Sequence, residues 1–405
     1  MTHQASEISP GLLEWKNRLE SDVRNPVFLK DLQWQLPEGI TLDPVYDAGS
    51  LGEEHAYLQE FHRYWESCRS GRKIRLLASA LCASSMDAST VSRAEELGFS
   101  AWSGDQLPVG AGLPLVPSFS GDPVSESLNQ GCITPALQQL MAGNQPEFLH
   151  INATAFRNAG AGATEDLAYI LSLGAHYHEL LGEEGFARLL PTMVLHLSTG
   201  TALFVEIARL RALRLLWMNF THNCGLEKDA GTIQAESSLT EWSKTDTDGN
   251  LLRHTACAMA AVLGGADQLL IHPHSLEAGS SMDALRQSVN LGHLCLEEAG
   301  MGAAFDPGSG TYLIEILTHK FAQQAWELFC SWQAVSLKDK LSSGFFSAMA
   351  SRGAERLRRD FAEGRKVLTG VNKHPSPLSR PGPAWPANDP SESEFPAFRP
   401  VFLDA

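Results

Sequence analysis

A chain of 405 residues, 43% of them hydrophobic, is long enough to bury a large core, either as one barrel-sized domain or as two smaller ones. Its net charge of −16 and the lack of a long basic run exclude an electrostatic basis for binding nucleic acid or anionic lipid, so we expect small molecules or proteins as partners. No apolar stretch approaches the roughly 20 residues that cross a bilayer, and Met1 to Pro10 has no signal-peptide core, so the sequence predicts a cytoplasmic protein without a membrane segment.

The predicted elements follow one another in an alternating order. Residues 1–49 form an N-terminal extension with one amphipathic helix, GLLEWKNRLESDV. Strand-like bursts then alternate with segments of helical periodicity; the bursts are IRLLASAL, GFSAW, PLVPSF, FLHINATA, TMVLHLS, GTIQAES, QLLIHPH and GAAFDP. Eight such units favour an α/β fold of the (β/α)8 TIM-barrel type over 50–373. Residues 374–405 are rich in proline and typical of a linker-like tail.

Two histidines, His272 and His274, end one predicted strand. Barrel active sites are built at the C-terminal ends of strands, so both are candidates for substrate binding. A zinc site needs at least three protein ligands, and the spacing identifies no third. The seven cysteines have no CxxC spacing and predict neither a cysteine zinc site nor a disulfide framework. A substrate hydrogen bond is therefore preferred to a metal site.

Charged residues on the segment LFVEIARLRALRLLW have a structural interpretation. Glu206, Arg211 and Arg214 are expected to form an ion network on the surface of a helix. Asp306 and Tyr312 are expected to shape the turn from the last strand into its helix.

Five stretches in family order resemble the barrel domain of the methylmalonyl-CoA mutase family. They are NAGAGATEDLAYIL, LFVEIARLRALRLLW, LLRHTACAMAAVLGGADQLLIHPHS, FDPGSGTYLIEILTHKFAQQAWELF and VLTGVNKHP. The resemblance implies a barrel whose axis is threaded by an acyl-CoA chain, with adenosylcobalamin over the C-terminal strand ends. It also implies isomerisation of methylmalonyl-CoA to succinyl-CoA by a radical that the cofactor supplies.

Departures from the family pattern put the chain's own activity in doubt. Gln234 occupies the position of a family histidine that contacts the thioester carbonyl, and a glutamine cannot act as an acid. The family's Tyr-His-Met-Gln motif is replaced by TAFR, which ends at Arg157. The candidate substrate-binding residues are thus Arg157, Gln234, His272 and His274, with Gln234 also at the catalytic position.

The resemblance is greatest to the small, non-catalytic subunit of heterodimeric mutases, because of the stretch IQAESSLTEWSKT. The region between Val45 and Phe148 also looks shorter than in the family. The sequence contains no Asp-x-His-x-x-Gly motif, so we do not expect this chain alone to bind adenosylcobalamin. The leading hypothesis is a small-subunit-like component that supports a mutase catalytic subunit.

Two alternatives remain. The first is a divergent active mutase barrel that uses a separate cobalamin-binding domain in trans. The second is a metal-dependent hydrolase that uses His272 and His274 as ligands.

Overall fold

The strands form a small hairpin and one large parallel sheet in the computed structural model, which describes residues 10–22, 32–51, 54–69, 73–79, 87–104, 111–113, 115–117, 149–243, 246–275 and 282–375. The hairpin pairs β1 (Trp34–Gln35) with β2 (Thr41–Leu42). The large sheet contains seven described strands: β3 (Arg75–Ser79), β4 (Ala101–Gly104), β5 (Leu115–Pro117), β6 (Leu149–Asn152), β7 (Met193–Thr199), β8 (Thr232–Ser237) and β9 (Gln268–Leu270).

The large sheet has the strand order of a barrel. Successive strands pair in parallel from β3 to β5 and from β6 to β9, and β9 pairs with β3. Among the described strands, the ladder is open between β5 and β6, on either side of residues 118–148. Parallel strands in ring order confirm the predicted TIM-barrel-like α/β fold, although the described strands do not close the ring.

The eighth predicted strand, GAAFDP, is absent from this ring, because residues 301–311 form turns. Asp306 has a φ of 39°, in the left-handed region, and Pro307 after it has no N–H for a ladder. The Asp306 carboxylate accepts hydrogen bonds from Arg211 at 2.9 and 3.2 Å, which hold it in this conformation. Asp306 thus shapes the turn into the next helix, as expected.

Helices follow most of the strands. They are α1 (Pro10–Asp22), α2 (Glu54–Arg69), α3 (Ala88–Glu95), α4 (Thr154–Asn158), α5 (Ala163–Leu189), α6 (Leu203–Asn223), α7 (Thr247–Leu263), α8 (Met282–His293), α9 (Tyr312–Trp332), α10 (Leu337–Ser342) and α11 (Phe345–Ala362). In the part of the chain that the structure describes, no helix is long and apolar enough to cross a membrane.

The two faces of the sheet differ in chemistry. Side chains alternate along a strand, so that one face packs on the helices and the other faces the interior of the ring. The helix-facing side is apolar and belongs to the main core; it includes Leu149, Ile151, Leu195, Leu197, Ile233, Ala235, Leu269 and Ile271. The interior side is largely polar; it includes His150, Asn152, His196, Ser198, Gln234, Glu236 and Gln268. Because barrel interiors are usually filled by branched apolar residues, this polar interior indicates a ligand site.

Helix α6 is buried, and its three arginines have relative exposures of at most 1%. Each guanidinium meets a buried carboxylate from a distant segment: Arg209 meets Asp166, Arg211 meets Asp306 and Arg214 meets Asp267. The expected surface ion network was therefore wrong. The charges of α6 lie inside the protein, because partners far away in sequence neutralise them.

The part of the chain before the ring packs against it in places. Leu36, Ile40 and Leu42 of the hairpin region are buried in the main core, and the Glu38 carboxylate accepts a hydrogen bond from the Ala163 N–H at 3.0 Å. By contrast, Leu13 on α1 is 47% exposed. The proline-rich tail lies outside the described residues from residue 376 onward.

Candidate functional site

The interior of the ring brings together two of the predicted site residues. Gln234 lies on β8 and is fully buried, and His272 follows β9 and is 7% exposed. Between them lies Glu236, whose Oε2 atom is 3.7 Å from His272 Nε2 and 3.1 Å from His196 Nε2 of β7. His196 Nε2 is also 3.1 Å from Gln234 Nε2. The centre of the site is thus a chain of Gln234, His196, Glu236 and His272.

Glu236 is the fixed negative charge of this chain. Burial alone would raise the pKa of its carboxyl, but the hydrogen bond and charge of His196, together with His272, hold that pKa well below its usual range. The ionised Glu236 accepts a hydrogen bond from the N–H at His196 Nε2. Because that nitrogen carries a hydrogen, it cannot also accept a hydrogen bond from Gln234. We therefore expect the Gln234 amide to turn its oxygen toward His196, since the two ends of an amide are interchangeable in shape.

Neutral imidazoles surround this charge. Burial and the neighbouring His196 lower the pKa of His150 on β6 to about 3. Burial, and then the charge of His272, lower the pKa of His254 on α7 to about 3. Both rings are therefore uncharged at neutral pH, and each can donate one hydrogen bond and accept another.

Several buried polar atoms of the ring interior have no hydrogen-bond partner among the described residues. These atoms are Nδ1 and Nε2 of His150, Nδ2 of Asn152, Nδ1 of His196, the amide end of Gln234 that does not face His196, Oε1 of Gln268 and both ring nitrogens of His272. Unpaired buried polar atoms are costly, and such a concentration of them is typical of a site that a ligand or ordered water completes.

His274 and Arg157, the other two predicted residues, are placed differently. The main-chain carbonyl of His274 accepts hydrogen bonds from Trp242 Nε1 at 2.9 Å and Asn250 Nδ2 at 3.0 Å, which fix the end of the strand. Arg157 lies on α4, where its guanidinium donates to the Ala161 carbonyl at 2.6 Å. Its nearest described carboxylate oxygen belongs to Glu206, at 3.9 Å. The structure describes no contact of Arg157 with Gln234 or His272, and its role in substrate binding stays a prediction.

Sequence reasoning missed His150, His196 and Glu236. A signal for them exists in FLHINATA, TMVLHLS and GTIQAES, because each stretch has a pair of polar residues two positions apart: His150 and Asn152, His196 and Ser198, and Gln234 and Glu236. A strand covered by helices on one side has its polar residues on the other, so this alternation indicates a polar barrel interior.

The site residues do not form a metal centre of the usual kind. Among the described residues, no group of three or more His, Cys, Asp or Glu side chains is arranged to hold a metal ion. The unpaired atoms also fit a corrin poorly. The family resemblance places the corrin over the C-terminal strand ends, whereas these unpaired atoms lie inside the ring, which a corrin macrocycle is too wide to enter. We derive no step through cobalamin, and the polar interior fits a narrow chain with hydrogen-bonding groups.

Among the described residues, the barrel-like ring thus has a polar interior with unpaired buried atoms, an arrangement typical of proteins that bind a small ligand there. Comparison with known proteins identifies the family. The methylmalonyl-CoA mutase family model matches residues 133–393, and the chain therefore belongs to this family. Mutases of the family depend in general on adenosylcobalamin.

Curated relatives include both kinds of mutase subunit. The chain is 30% identical over 303 residues to the probable methylmalonyl-CoA mutase small subunit of Mycobacterium bovis. The matched region covers 71% of this chain and 48% of that protein. It is 25% identical over 445 residues to the methylmalonyl-CoA mutase small subunit of Porphyromonas gingivalis, and this match covers 92% of this chain and 71% of that protein. It is 28% identical over 252 residues to the methylmalonyl-CoA mutase large subunit of the same organism, and this match covers 58% of this chain and 34% of that protein. The chain thus spans about half the length of the first of these relatives.

Proposed function

We propose that this chain is a small-subunit-like component of an adenosylcobalamin-dependent methylmalonyl-CoA mutase and supports a catalytic partner. The observation that carries the proposal is Gln234, fully buried beside His196 and the ionised Glu236. Neither the amide of Gln234 nor a carboxylate of lowered pKa can protonate a thioester carbonyl, and this supports a non-catalytic role for the position of Gln234. The similarity to proteins named as small subunits supports the same role.

Association with a catalytic subunit tests this function. We expect the chain to copurify with the methylmalonyl-CoA mutase large subunit of its own source when the two are co-expressed, with the tag on the large subunit. The exposed Leu13 of α1 gives the extension an apolar surface for such an interface, so deletion of residues 1–49 is expected to weaken the complex. A chain that elutes as a monomer beside the large subunit, with its extension intact, contradicts the proposal.

The second candidate is a divergent active barrel that receives cobalamin from a separate domain. The unpaired polar atoms of the ring interior favour it, because they retain the means to bind a substrate. The two candidates differ in the outcome of Gln234→His with a free cobalamin-binding domain and methylmalonyl-CoA. We expect no succinyl-CoA from either the wild-type chain or the variant, because a single histidine does not restore substrate positioning. Succinyl-CoA formed by either protein supports the active barrel instead.

A further inference from the structure

One histidine of the ring interior has a free acceptor nitrogen. His196 on β7 is fully buried, and its Nε2 atom donates to the ionised Glu236 carboxylate at 3.1 Å. The other ring nitrogen, Nδ1, is buried and meets no hydrogen-bond partner in the described part of the chain. A neutral imidazole carries a hydrogen on one nitrogen and a lone pair on the other. Because Nε2 has the hydrogen, Nδ1 of the neutral ring is the basic atom.

The pair of His196 and Glu236 has the arrangement of a general base and its orienting carboxylate. Such a carboxylate fixes the tautomer of the ring and stabilises the imidazolium that forms when the ring takes up a proton. Glu236 suits this role because its carboxyl, with its lowered pKa, stays ionised. His272 Nε2 lies 3.7 Å from the same Oε2 atom, on the side of β9. The pair therefore has the chemistry to remove a proton from a water molecule at Nδ1.

Two groups of β6 lie beside this base and supply hydrogen-bond donors. The ladder pairs Asn152 with His196, so both side chains are on the interior side. Asn152 Oδ1 accepts a hydrogen bond from the Thr154 N–H at 2.7 Å, which leaves Nδ2 as a buried donor without a described acceptor. The neutral ring of His150 packs edge-on against that of His196, with centroids 5.8 Å apart, and both its nitrogens are unpaired. Donors of this kind stabilise the oxyanion that forms when a nucleophile adds to a carbonyl group.

The nucleophile that fits this base is water. Ser198, the next interior residue of β7, has an unpaired buried hydroxyl, but no hydrogen bond joins it to His196 among the described contacts. A serine nucleophile needs that hydrogen bond to lose its proton. Unpaired buried polar atoms are, by contrast, the usual partners of ordered water.

We propose that this chain has an activity of its own, the hydrolysis of a thioester bond, with His196 as the catalytic base and Glu236 as its positioning residue. The inference rests on the proposed function, in which the ligand of the ring is an acyl-CoA. It adds a reaction that needs neither cobalamin nor an acid at the position of Gln234.

The reaction is an addition followed by an elimination. His196 Nδ1 takes a proton from water while the water oxygen forms a bond to the carbonyl carbon. The N–H groups of Asn152 and His150 stabilise the negative charge on the carbonyl oxygen. The C–S bond then breaks, and the imidazolium of His196 returns its proton to the departing sulfur. Water and the thioester thus yield a carboxylic acid and a free thiol, without an oxidant or a further reactant.

Release of free CoA from propionyl-CoA by the purified full chain tests this activity. Free CoA is measured by liquid chromatography, and binding of propionyl-CoA is measured separately by calorimetry. Wild type is compared with His196→Gln, Glu236→Gln and Asn152→Asp; the last variant keeps the oxygen that accepts from the Thr154 N–H and removes the donor. His222→Gln, at an exposed histidine of α6, is the matched control. Thermal melting of each variant shows that the fold is retained.

We expect wild type and His222→Gln to release CoA with the same kcat. His196→Gln should lower kcat about a hundredfold or more, as for loss of a general base, with KM little changed. Asn152→Asp should lower kcat about a hundredfold through loss of an oxyanion donor, and Glu236→Gln at least about tenfold through the tautomer of the ring. A residue with only a structural role would not lower kcat while KM and the melting temperature stay at the wild-type values.

A wild-type chain that binds propionyl-CoA but releases no CoA overturns the proposal and leaves the supporting role intact. Equal kcat of wild type and His196→Gln also overturns it, as does a chain that binds no propionyl-CoA. If His196→Gln does not fold, Glu236→Gln and Asn152→Asp decide, and an unchanged kcat in both overturns the proposal. Copurification with the large subunit is measured separately, so the supporting role stands or falls independently.

Discussion

At the scale of single residues, His62 shows how closely its carboxylate neighbours match a partly buried charge. Its ring on α2 lies 2.6 Å from Asp306 Oδ2 and 3.0 Å from Glu315 Oε1, beside the guanidinium of Arg211. Burial lowers the pKa of His62, but the hydrogen bonds to Asp306 and Glu315 outweigh burial and raise the pKa to about 8. One cationic ring thus fastens α2 to the turn that precedes α9.

His62 therefore makes stability depend on pH. Its folded pKa lies above the unfolded value of 6.5, so its contribution is complete below pH 6.5 and is lost as pH rises through about 8. The shift corresponds to about 2 kcal/mol at most. We expect the free energy of unfolding of wild type, measured with denaturant, to fall between pH 6 and pH 9 by up to about 2 kcal/mol more than that of His62→Gln.

The exposed His222 provides the control for this experiment. His222→Gln should follow the wild-type pH profile. If His62→Gln and wild type lose stability in parallel, the ring of His62 is not charged in the folded protein, and its link to Asp306 is a neutral hydrogen bond.

At the scale of elements, a glycine-lined contact joins the turn after α4 to α11. Gly160 has a φ of 109°, and a Cβ atom built there would lie 2.6 Å from both the Ala350 carbonyl oxygen and the Ala354 nitrogen. The residue thus combines a backbone conformation that suits glycine with a close backbone approach. It explains why the NAGAGAT stretch is rich in small residues.

Substitution of Gly160 by alanine is expected to be severe. Gly160→Ala should lower the free energy of unfolding by roughly 3 kcal/mol or more, because it adds a backbone clash to an unfavourable φ. Gly300 has a φ of 60° with no atom near a built Cβ, so Gly300→Ala should cost only about 1 kcal/mol. Denaturant unfolding of both variants separates the backbone clash from the unfavourable φ. If both variants lose the same free energy of unfolding, the unfavourable φ accounts for the whole cost.

The elements were predictable from the sequence where local pattern governs them. The bursts from IRLLASAL to QLLIHPH overlap the strands β3 to β9, because buried parallel strands are short, apolar and flanked by turn signals. GAAFDP has the same composition, yet Asp306 and Pro307 turn the chain under the control of Arg211. No local pattern reports a partner that lies almost a hundred residues away.

The site was predictable only in part for the same reason. Gln234 and His272 could be singled out, one by resemblance and one by its place at a strand end. The link between them runs through His196 and Glu236, which become neighbours only when β7 and β8 pair. Register between strands is a property of the folded sheet, so the sequence alone could not show which polar side chains meet on the interior side of the ring.

At the scale of the whole molecule, the described strands form a continuous ladder in which only β5 and β6 are not paired with each other. Every other neighbouring pair but one joins strands that are consecutive in the chain. The exception is β3 with β9, the first and last strands of the ring.

That single pairing sets an order of assembly. Loop closure costs more entropy for longer loops, so the β3–β9 ladder, which spans most of the barrel sequence, should form after the local pairs. The strands β3, β4 and β5 are joined to β6 through β9 by this ladder, and its opening would release them together. We expect amide hydrogen exchange in the native protein to be faster in β4 than in β7 and β8, because β4 belongs to the smaller group of described strands, β3 to β5, which this ladder holds to the other four. Uniform protection from exchange across the ring would mean that the barrel opens as a whole. The β3–β9 ladder would then form late in folding without being the first ladder to open in the native protein.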